Sequence, residues 1–170
     1  MPGGMGVGLV KQYRQAGLAD KIPVLSAFTV DESTLPAQQD AAVGMFGGAK
    51  WAPNMDNPQS KKFVAAYEAA YNSVPGTYAM QGYDTAMLID SAVKAVKGDL
   101  KNKDAVSAAL KKAEFTSLRG DFKFNNNNFP IQNFYIQEAV KDPEGMMTVK
   151  TIATAVKDGK DPYYEKCPMK

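Results

Sequence analysis

The chain has 170 residues, 45% of them hydrophobic, which is enough for one or two compact units with a buried core. Its formal charge of +2, from 20 basic and 18 acidic side chains, is too small to predict nucleic acid or an anionic membrane as a partner. The absence of histidine and the single cysteine, Cys167, exclude a Ser-His-Asp site, a histidine metal site and a disulfide within the chain.

The first part of the chain predicts helices that alternate with strands. Residues 6–16 carry apolar side chains on one side and end at Gly17, which predicts a helix. Ile22–Ala27 predicts a short buried strand. A short helix over 37–42 and a strand over 43–49 follow, the strand recognised by its apolar, glycine-containing sequence.

The middle of the chain predicts three helices. The first, over 59–71, follows the pair Asn57-Pro58, which is typical of a helix start, and has aromatic side chains at helical spacing. The second runs from about 78 to 97 and ends at Gly98. The third is shorter and covers 103–112.

The last part of the chain predicts strands. Beyond Gly120 the apolar period changes to two, which indicates a hairpin of strands over 121–124 and 131–140, joined by an asparagine-rich turn at 125–128. A turn is favoured there over a calcium loop, because calcium loops need acidic ligands at alternating positions. One more strand is predicted over 146–156. This order of elements predicts an α/β fold with a mostly parallel sheet and a late β-hairpin.

A glycine motif, Gly3-Gly4-Met5-Gly6-Val7-Gly8, invites a phosphate-loop interpretation. Its spacing is G-x-G-x-G, no lysine-serine pair follows, and no strand precedes it, so that a glycine-rich helix entry is the favoured interpretation. No serine-lysine or paired-carboxylate spacing is typical of catalysis. We therefore expect a protein that is not an enzyme and that uses no cofactor or metal.

Three segments resemble the carboxyl-terminal part of a type I periplasmic solute-binding protein, the branched-chain amino-acid-binding class of ABC importers. They are the glycine motif with Gln12–Leu18, the aromatic-rich stretch Tyr78–Val93 and the segment Arg119–Phe122. The resemblance covers nearly all 170 residues. Family members are longer, so it implies that an upstream half with most of the ligand-anchoring residues is absent here.

The resemblance implies parts of two Rossmann-like lobes with a ligand cleft between them. Residues 1–44 would belong to the second lobe, 45–118 to the first, and 119–170 to a crossing hairpin that returns to the second lobe. The implied function is that of the solute-binding component of an ABC importer, periplasmic in the full-length parent, with a membrane permease as partner. The implied ligand is a small carboxylate, either an aromatic or aliphatic acid or a branched-chain amino acid.

Features of the chain as written leave other interpretations open. Its first residues lack an export signal, which predicts a cytosolic location for this chain and leaves a cytosolic ligand sensor of the same fold open. Incomplete lobes would leave strand edges unpaired and impair ligand binding. A homodimer, or a segment-swapped structural fragment without ligand, is the other expectation.

Phe28 follows the predicted strand Ile22–Ala27, and ligands bind at the carboxyl ends of strands in open α/β sheets. By the resemblance it lies where amino-acid binders carry an acid that pairs with the ligand's ammonium group. A phenyl ring predicts instead a ligand without that group, such as an aromatic or aliphatic carboxylate. Asp31 or Glu32 supplies the acid if the alignment shifts, and simple packing of Phe28 is the alternative.

Tyr78 matches the family position from which an aromatic side chain of the first lobe closes over the ligand. Gln81 lies about one helical turn further along, and Met80 and Tyr83 flank the same turn. An aromatic ring with a polar tip suits a cleft that is apolar inside and wet at its mouth. Ordinary packing at a helix start is the alternative for all of these aromatic and methionine side chains.

Two further places belong to the cleft by the resemblance. In the family, the helix start at Gly3 and Gly4 faces the cleft, where a helix amino terminus stabilises an anionic group. Trp51 and Asn54 either line the cleft mouth or close a loop. The predicted ligand-binding residues are thus Phe28, Tyr78, Gln81, Gly3 and Gly4.

Overall fold

The computed structural model describes residues 3–169. Its helices are α1 (Gly3–Gln15), α2 (Leu35–Gln38), α3 (Pro58–Tyr71), α4 (Thr77–Ala95) and α5 (Lys103–Lys112), and a 3₁₀ turn covers Gln39–Ala42. Its strands are β1 (Leu25–Ser26), β2 (Phe46–Ala49), β3 (Lys123–Phe124), β4 (Pro130–Lys141) and β5 (Met147–Gly159). The predicted order of elements is confirmed. Within these residues no helix is long and apolar enough to cross a membrane.

Local capping explains the bounds of α3. The Asn57 side chain accepts a hydrogen bond from the Ser60 N–H at 2.6 Å, and Pro58 occupies the first helical position, where no backbone donor is needed. Asn72 ends the helix in the left-handed conformation, with its N–H bonded to the Glu68 carbonyl oxygen. The Asn57-Pro58 pair therefore marks the helix start as its sequence predicts.

The sheet joins parallel and antiparallel pairs. β1 and β2 pair in parallel, whereas the pairings of β2 with β4, β3 with β4 and β4 with β5 are antiparallel. The α/β class and the late hairpin are confirmed. Among the described residues the pairings are more antiparallel than expected, because β4 turns back as a hairpin partner of both β3 and β5.

The first predicted strand needs correction. Instead of a buried strand over Ile22–Ala27, the structure forms only Leu25–Ser26, and the Leu25 side chain is 68% exposed. In the described sheet, β1 lies at one end and pairs only with β2, so that no second strand covers its other edge. An open edge can template pairing with another chain, and the homodimer remains a prediction.

Two separate clusters of buried side chains form the core. The aliphatic cluster comprises Val10, Val30, Leu35, Ala42, Met45, Ala139 and Val149. The Trp51 cluster comprises Trp51, Phe63, Met80 and Leu118. The chain passes from one to the other along β2, with Met45 just before the strand and Trp51 just after it. The proposed division into parts of two lobes at residues 44 and 118 stays a prediction.

Candidate functional site

A small cleft lies where the carboxyl ends of β1 and β2 face the start of α4. Residues from the loop 27–33, Ala49 at the end of β2, Gly76 with the first two residues of α4, and Gln137 of β4 line it. Because β1 and β2 are parallel, their carboxyl ends open on the same side of the sheet. This is the position at which open α/β sheets bind ligands.

Phe28 and Tyr78 meet in this cleft, although 50 residues separate them in the sequence. Their ring centroids lie 6.4 Å apart with an angle of 22° between the ring planes, a stacked arrangement. Both rings remain accessible, at 48% exposed for Phe28 and 59% for Tyr78. The cleft encloses only about 20 Å³ of free space, room for about one water molecule, so the rings must part before another ring can enter.

Glu32 is the buried acid of the cleft. Its side chain is 7% exposed, and its Oε1 has no hydrogen-bond partner among the described residues. Burial raises its pKa from the ordinary 4.5 to about 7, and the nearby Asp31 charge adds to the rise. Backbone hydrogen bonds at Glu32 and Thr77 favour the ionised form, and they partly offset this rise in the pKa. Near neutral pH this carboxyl group is therefore divided between its protonated and ionised forms.

The other predicted site residues lie elsewhere. Gln81 lines a different cavity, together with Lys50 and Arg119, where burial and the Arg119 charge lower the pKa of Lys50. Gly3 and Gly4 are exposed at the start of α1, outside the described set of cleft-lining residues. The structure thus brings together Phe28 and Tyr78 and does not join Gln81, Gly3 or Gly4 to them.

The residues next to Tyr78 belong mostly to the core. Met80 and Trp51 are fully buried in the Trp51 cluster, and Tyr83 packs against the same cluster. The Trp51 Nε1 donates to the Ser60 Oγ at 2.9 Å. Asn54 is exposed on the following loop. For Met80 and Tyr83 the structure favours the packing interpretation, and Trp51 is a core residue, not part of a cleft mouth.

The sequence did not reveal a buried ion pair that lines the cavity of Gln81. The Asp84 Oδ2 accepts hydrogen bonds from the Ser117 Oγ at 2.6 Å and the Arg119 Nε at 3.0 Å, while its Oδ1 accepts from the Leu118 N–H at 2.9 Å. These bonds fix α4 to the segment before β3. The available signal was an acidic residue between apolar positions of a helix, which is costly unless it is paired.

Gln137 is the second residue that the sequence did not reveal. It lines the cleft from β4, is 3% exposed, and its Nε2 donates to the Trp51 carbonyl oxygen at 2.8 Å. An alternating strand pattern predicts which face a residue occupies but not its partner across the sheet. The bond connects the floor of the cleft to the Trp51 cluster.

Comparison with known proteins decides the family. A model of the periplasmic binding protein family matches residues 1–144. The chain belongs to the periplasmic binding protein family. Among curated relatives of this family, the Leu/Ile/Val-binding protein homolog 6 of Brucella suis is 32% identical over 160 residues, which cover 90% of this chain and 40% of the relative.

Solved structures of periplasmic binding proteins share the fold. The solute-binding protein of an ABC transporter from R. palustris, in complex with benzoate, is 32% identical with a TM-score of 0.85, over 95% of this chain and 43% of that one. A solute-binding protein from Rhodopseudomonas palustris BisB5, in complex with 3,4-dihydroxy benzoic acid, is 30% identical with a TM-score of 0.82, over 95% and 45%. The present chain thus spans about two fifths of the length of its curated relatives.

Proposed function

We propose that this chain is part of the solute-binding component of an ABC importer and that its cleft holds the ring of a small aromatic carboxylate. The observation that carries the proposal is the meeting of Phe28 and Tyr78 at the carboxyl ends of two parallel strands. The complete protein would bind its solute without chemical change, in the periplasm, and deliver it to a membrane permease.

The chemistry of the cleft favours an aromatic acid over an amino acid. Two accessible rings offer flat apolar surfaces to a ligand ring, and stacking of this kind contributes about 0.5–1.5 kcal/mol beyond area burial. An α-ammonium group would need a fully ionised partner, whereas Glu32 is protonated below its pKa of about 7. The other acid of the cleft, Asp31, already accepts hydrogen bonds from two backbone N–H groups at its Oδ1. Two structural neighbours hold benzoate and 3,4-dihydroxy benzoic acid, which agrees with this preference.

The position of the two rings suggests how the two sides of the cleft would close on a ligand. Phe28 lies close in sequence to Val30 of the aliphatic cluster, and Tyr78 close to Met80 of the Trp51 cluster. A ligand ring between them would contact both sides at once and stabilise the closed arrangement. The permease would then recognise that closed form.

The test is thermal unfolding of the chain with benzoate, 4-hydroxybenzoate, hexanoate and L-leucine. We expect the two benzoates to raise the unfolding midpoint, since a ligand that binds only the folded state stabilises it. Phe28→Ala and Tyr78→Ala should lose most of the rise. Phe129→Ala and Tyr163→Ala are matched controls, because these rings are 59% and 64% exposed outside the cleft. A rise with L-leucine alone would contradict the proposal.

A further inference from the structure

The Glu32 carboxyl group lies where the cleft meets the amino end of α4. A Cβ added to Gly76 would stand 3.4 Å from the Glu32 Oε2. Gly76 is the N-cap residue of α4 and supplies no side-chain cap. Helix amino termini favour a negative charge, because unpaired backbone N–H groups and the helix dipole point towards it.

The second oxygen of the Glu32 carboxyl group, Oε1, is free to bond to a ligand. Oε1 is buried and has no hydrogen-bond partner among the described residues, although Glu32 lines the cleft beside Phe28 and Tyr78. A buried polar atom without a partner costs free energy that a ligand can recover by bonding to it. An unpaired oxygen in a ligand cleft therefore indicates a contact that is completed on binding.

The charges around Glu32 restrict what that contact is. The titratable side chains among the described cleft-lining residues are Asp31, Glu32 and Tyr78, with no lysine or arginine. The Asp31 Oδ1 already accepts hydrogen bonds from the N–H groups of Ser33 (2.9 Å) and Thr34 (3.1 Å). A ligand carboxylate entering this cleft meets no cation from these residues, so it needs the helix terminus and a neutral donor.

On the basis of the proposed function, we infer that Glu32 selects carboxylate ligands by donating a hydrogen bond from its protonated carboxyl group to the ligand carboxylate at the amino end of α4. The acid serves as a donor and not as a partner for an ammonium group. An anionic ligand beside it favours the protonated form further. Binding therefore takes up a proton from solution whenever Glu32 is ionised beforehand.

The consequence is a defined pH dependence. Burial holds the pKa of free Glu32 at about 7, so that the protonated donor is present below this pH and is lost above it. For one linked proton, the affinity for a carboxylate falls by about fivefold from pH 7 to 8, and the fall approaches about tenfold per pH unit at higher pH. An ammonium ligand would show the opposite trend, with tighter binding as Glu32 ionises.

The experiment is calorimetric titration of benzoate at about pH 6, 7 and 8 into the wild-type chain and Glu32→Gln. We expect the wild-type affinity to fall by about fivefold from pH 7 to 8. Glu32→Gln should bind at every pH without this dependence, because its amide remains a neutral donor. Glu68→Gln, an exposed change on α3, is the control and should behave as wild type.

A second measurement needs no variant. At about pH 7, the binding enthalpy in buffers of different ionisation enthalpy reports the protons taken up, and we expect about half a proton per benzoate. Benzoate affinity that is independent of pH, or a pH dependence that Glu32→Gln retains, overturns the inference while leaving the proposed function standing. L-leucine binding that strengthens with pH and disappears in Glu32→Gln overturns it as well. Absence of benzoate binding at every pH overturns the proposed function, and this inference with it.

Discussion

The two clusters on either side of the cleft are stabilised in different ways. The aliphatic cluster is built from alanine, valine, leucine and methionine side chains. In the Trp51 cluster, Trp51 and Phe63 pack edge to face, with ring centroids 6.0 Å apart. Hydrogen bonds surround this second cluster, from Trp51 to Ser60 and from the segment 117–119 to Asp84. Buried hydrogen bonds also border the aliphatic cluster, where the Gln38 Nε2 donates to the Thr29 carbonyl oxygen at 2.6 Å. The Trp51 side differs in having a buried ion pair, Asp84 with Arg119.

The difference bears on the cleft because each of its two aromatic walls is close in sequence to one of the clusters. Val30 of the aliphatic cluster lies between Phe28 and Glu32 in sequence, and Met80 of the Trp51 cluster lies just after Tyr78. A change that loosens one cluster should therefore displace one wall and leave the other in place. Variants that act on a single cluster test whether the two clusters respond independently.

The largest effect is expected from Asp84→Ala. Removing this carboxylate leaves the Arg119 guanidinium, 11% exposed at its side chain, without its ion-pair partner, and breaking a buried pair in this way costs about 4 kcal/mol of unfolding free energy. Urea unfolding measures the loss. Hydrogen exchange should rise in α3 and α4 while β5 stays protected.

Asp90→Ala is the matched control on the same helix. Asp90 pairs with Lys94 one turn away, and both side chains are largely exposed, at 48% and 74%. Exposed pairs of this kind contribute less than about 0.5 kcal/mol. Equal losses in the two variants would contradict the claim that a buried polar network stabilises the Trp51 cluster.

A somewhat smaller effect is expected from Leu35→Ala in the aliphatic cluster. Leu35 is fully buried, and truncating a buried leucine costs about 3 kcal/mol through lost burial and the cavity that remains. The emission of Trp51, the single tryptophan of the chain, should be unchanged in the folded variant because Trp51 lies in the other cluster.

The control for Leu35→Ala is Leu100→Ala, at a side chain that is 58% exposed, where the change should stay within about 0.5 kcal/mol. A shift of Trp51 emission in folded Leu35→Ala would show that the two clusters respond as one unit.

A pH dependence of stability is expected from Glu32, at most about 3 kcal/mol for its pKa rise from 4.5 to about 7. Below about pH 4.5 the acid is protonated in both states. Between the two values only the unfolded state releases the proton, so stability falls as pH rises, and the full cost persists above about pH 7. Urea unfolding of wild type minus Glu32→Gln isolates this change. A constant difference between the two proteins across this range would contradict the buried position of Glu32.

The sequence predicted the helices well and the site only in part. Capping pairs such as Asn57-Pro58 are local signals, so the bounds of α3 were accessible. The extent of β1 was not, because a strand needs partners that the local sequence does not specify, and Leu25 has one only on the β2 side among the described strands. Phe28 was predicted from the strand end that it follows and from the resemblance, and Tyr78 from the resemblance; their role in ligand binding stays a prediction. Their contact and the burial of Glu32 depend on tertiary packing, which no local pattern encodes.

A double-mutant cycle on benzoate affinity, measured by calorimetry with wild type, Phe28→Ala, Tyr78→Ala and the double variant, tests whether Phe28 and Tyr78 form one ligand site. If both rings contact the ligand ring, each single change should weaken binding by about tenfold, and the double change by less than the product of the two, because the rings also contact each other. Wild-type affinity in either single variant would contradict the claim that Phe28 and Tyr78 together form the ligand site.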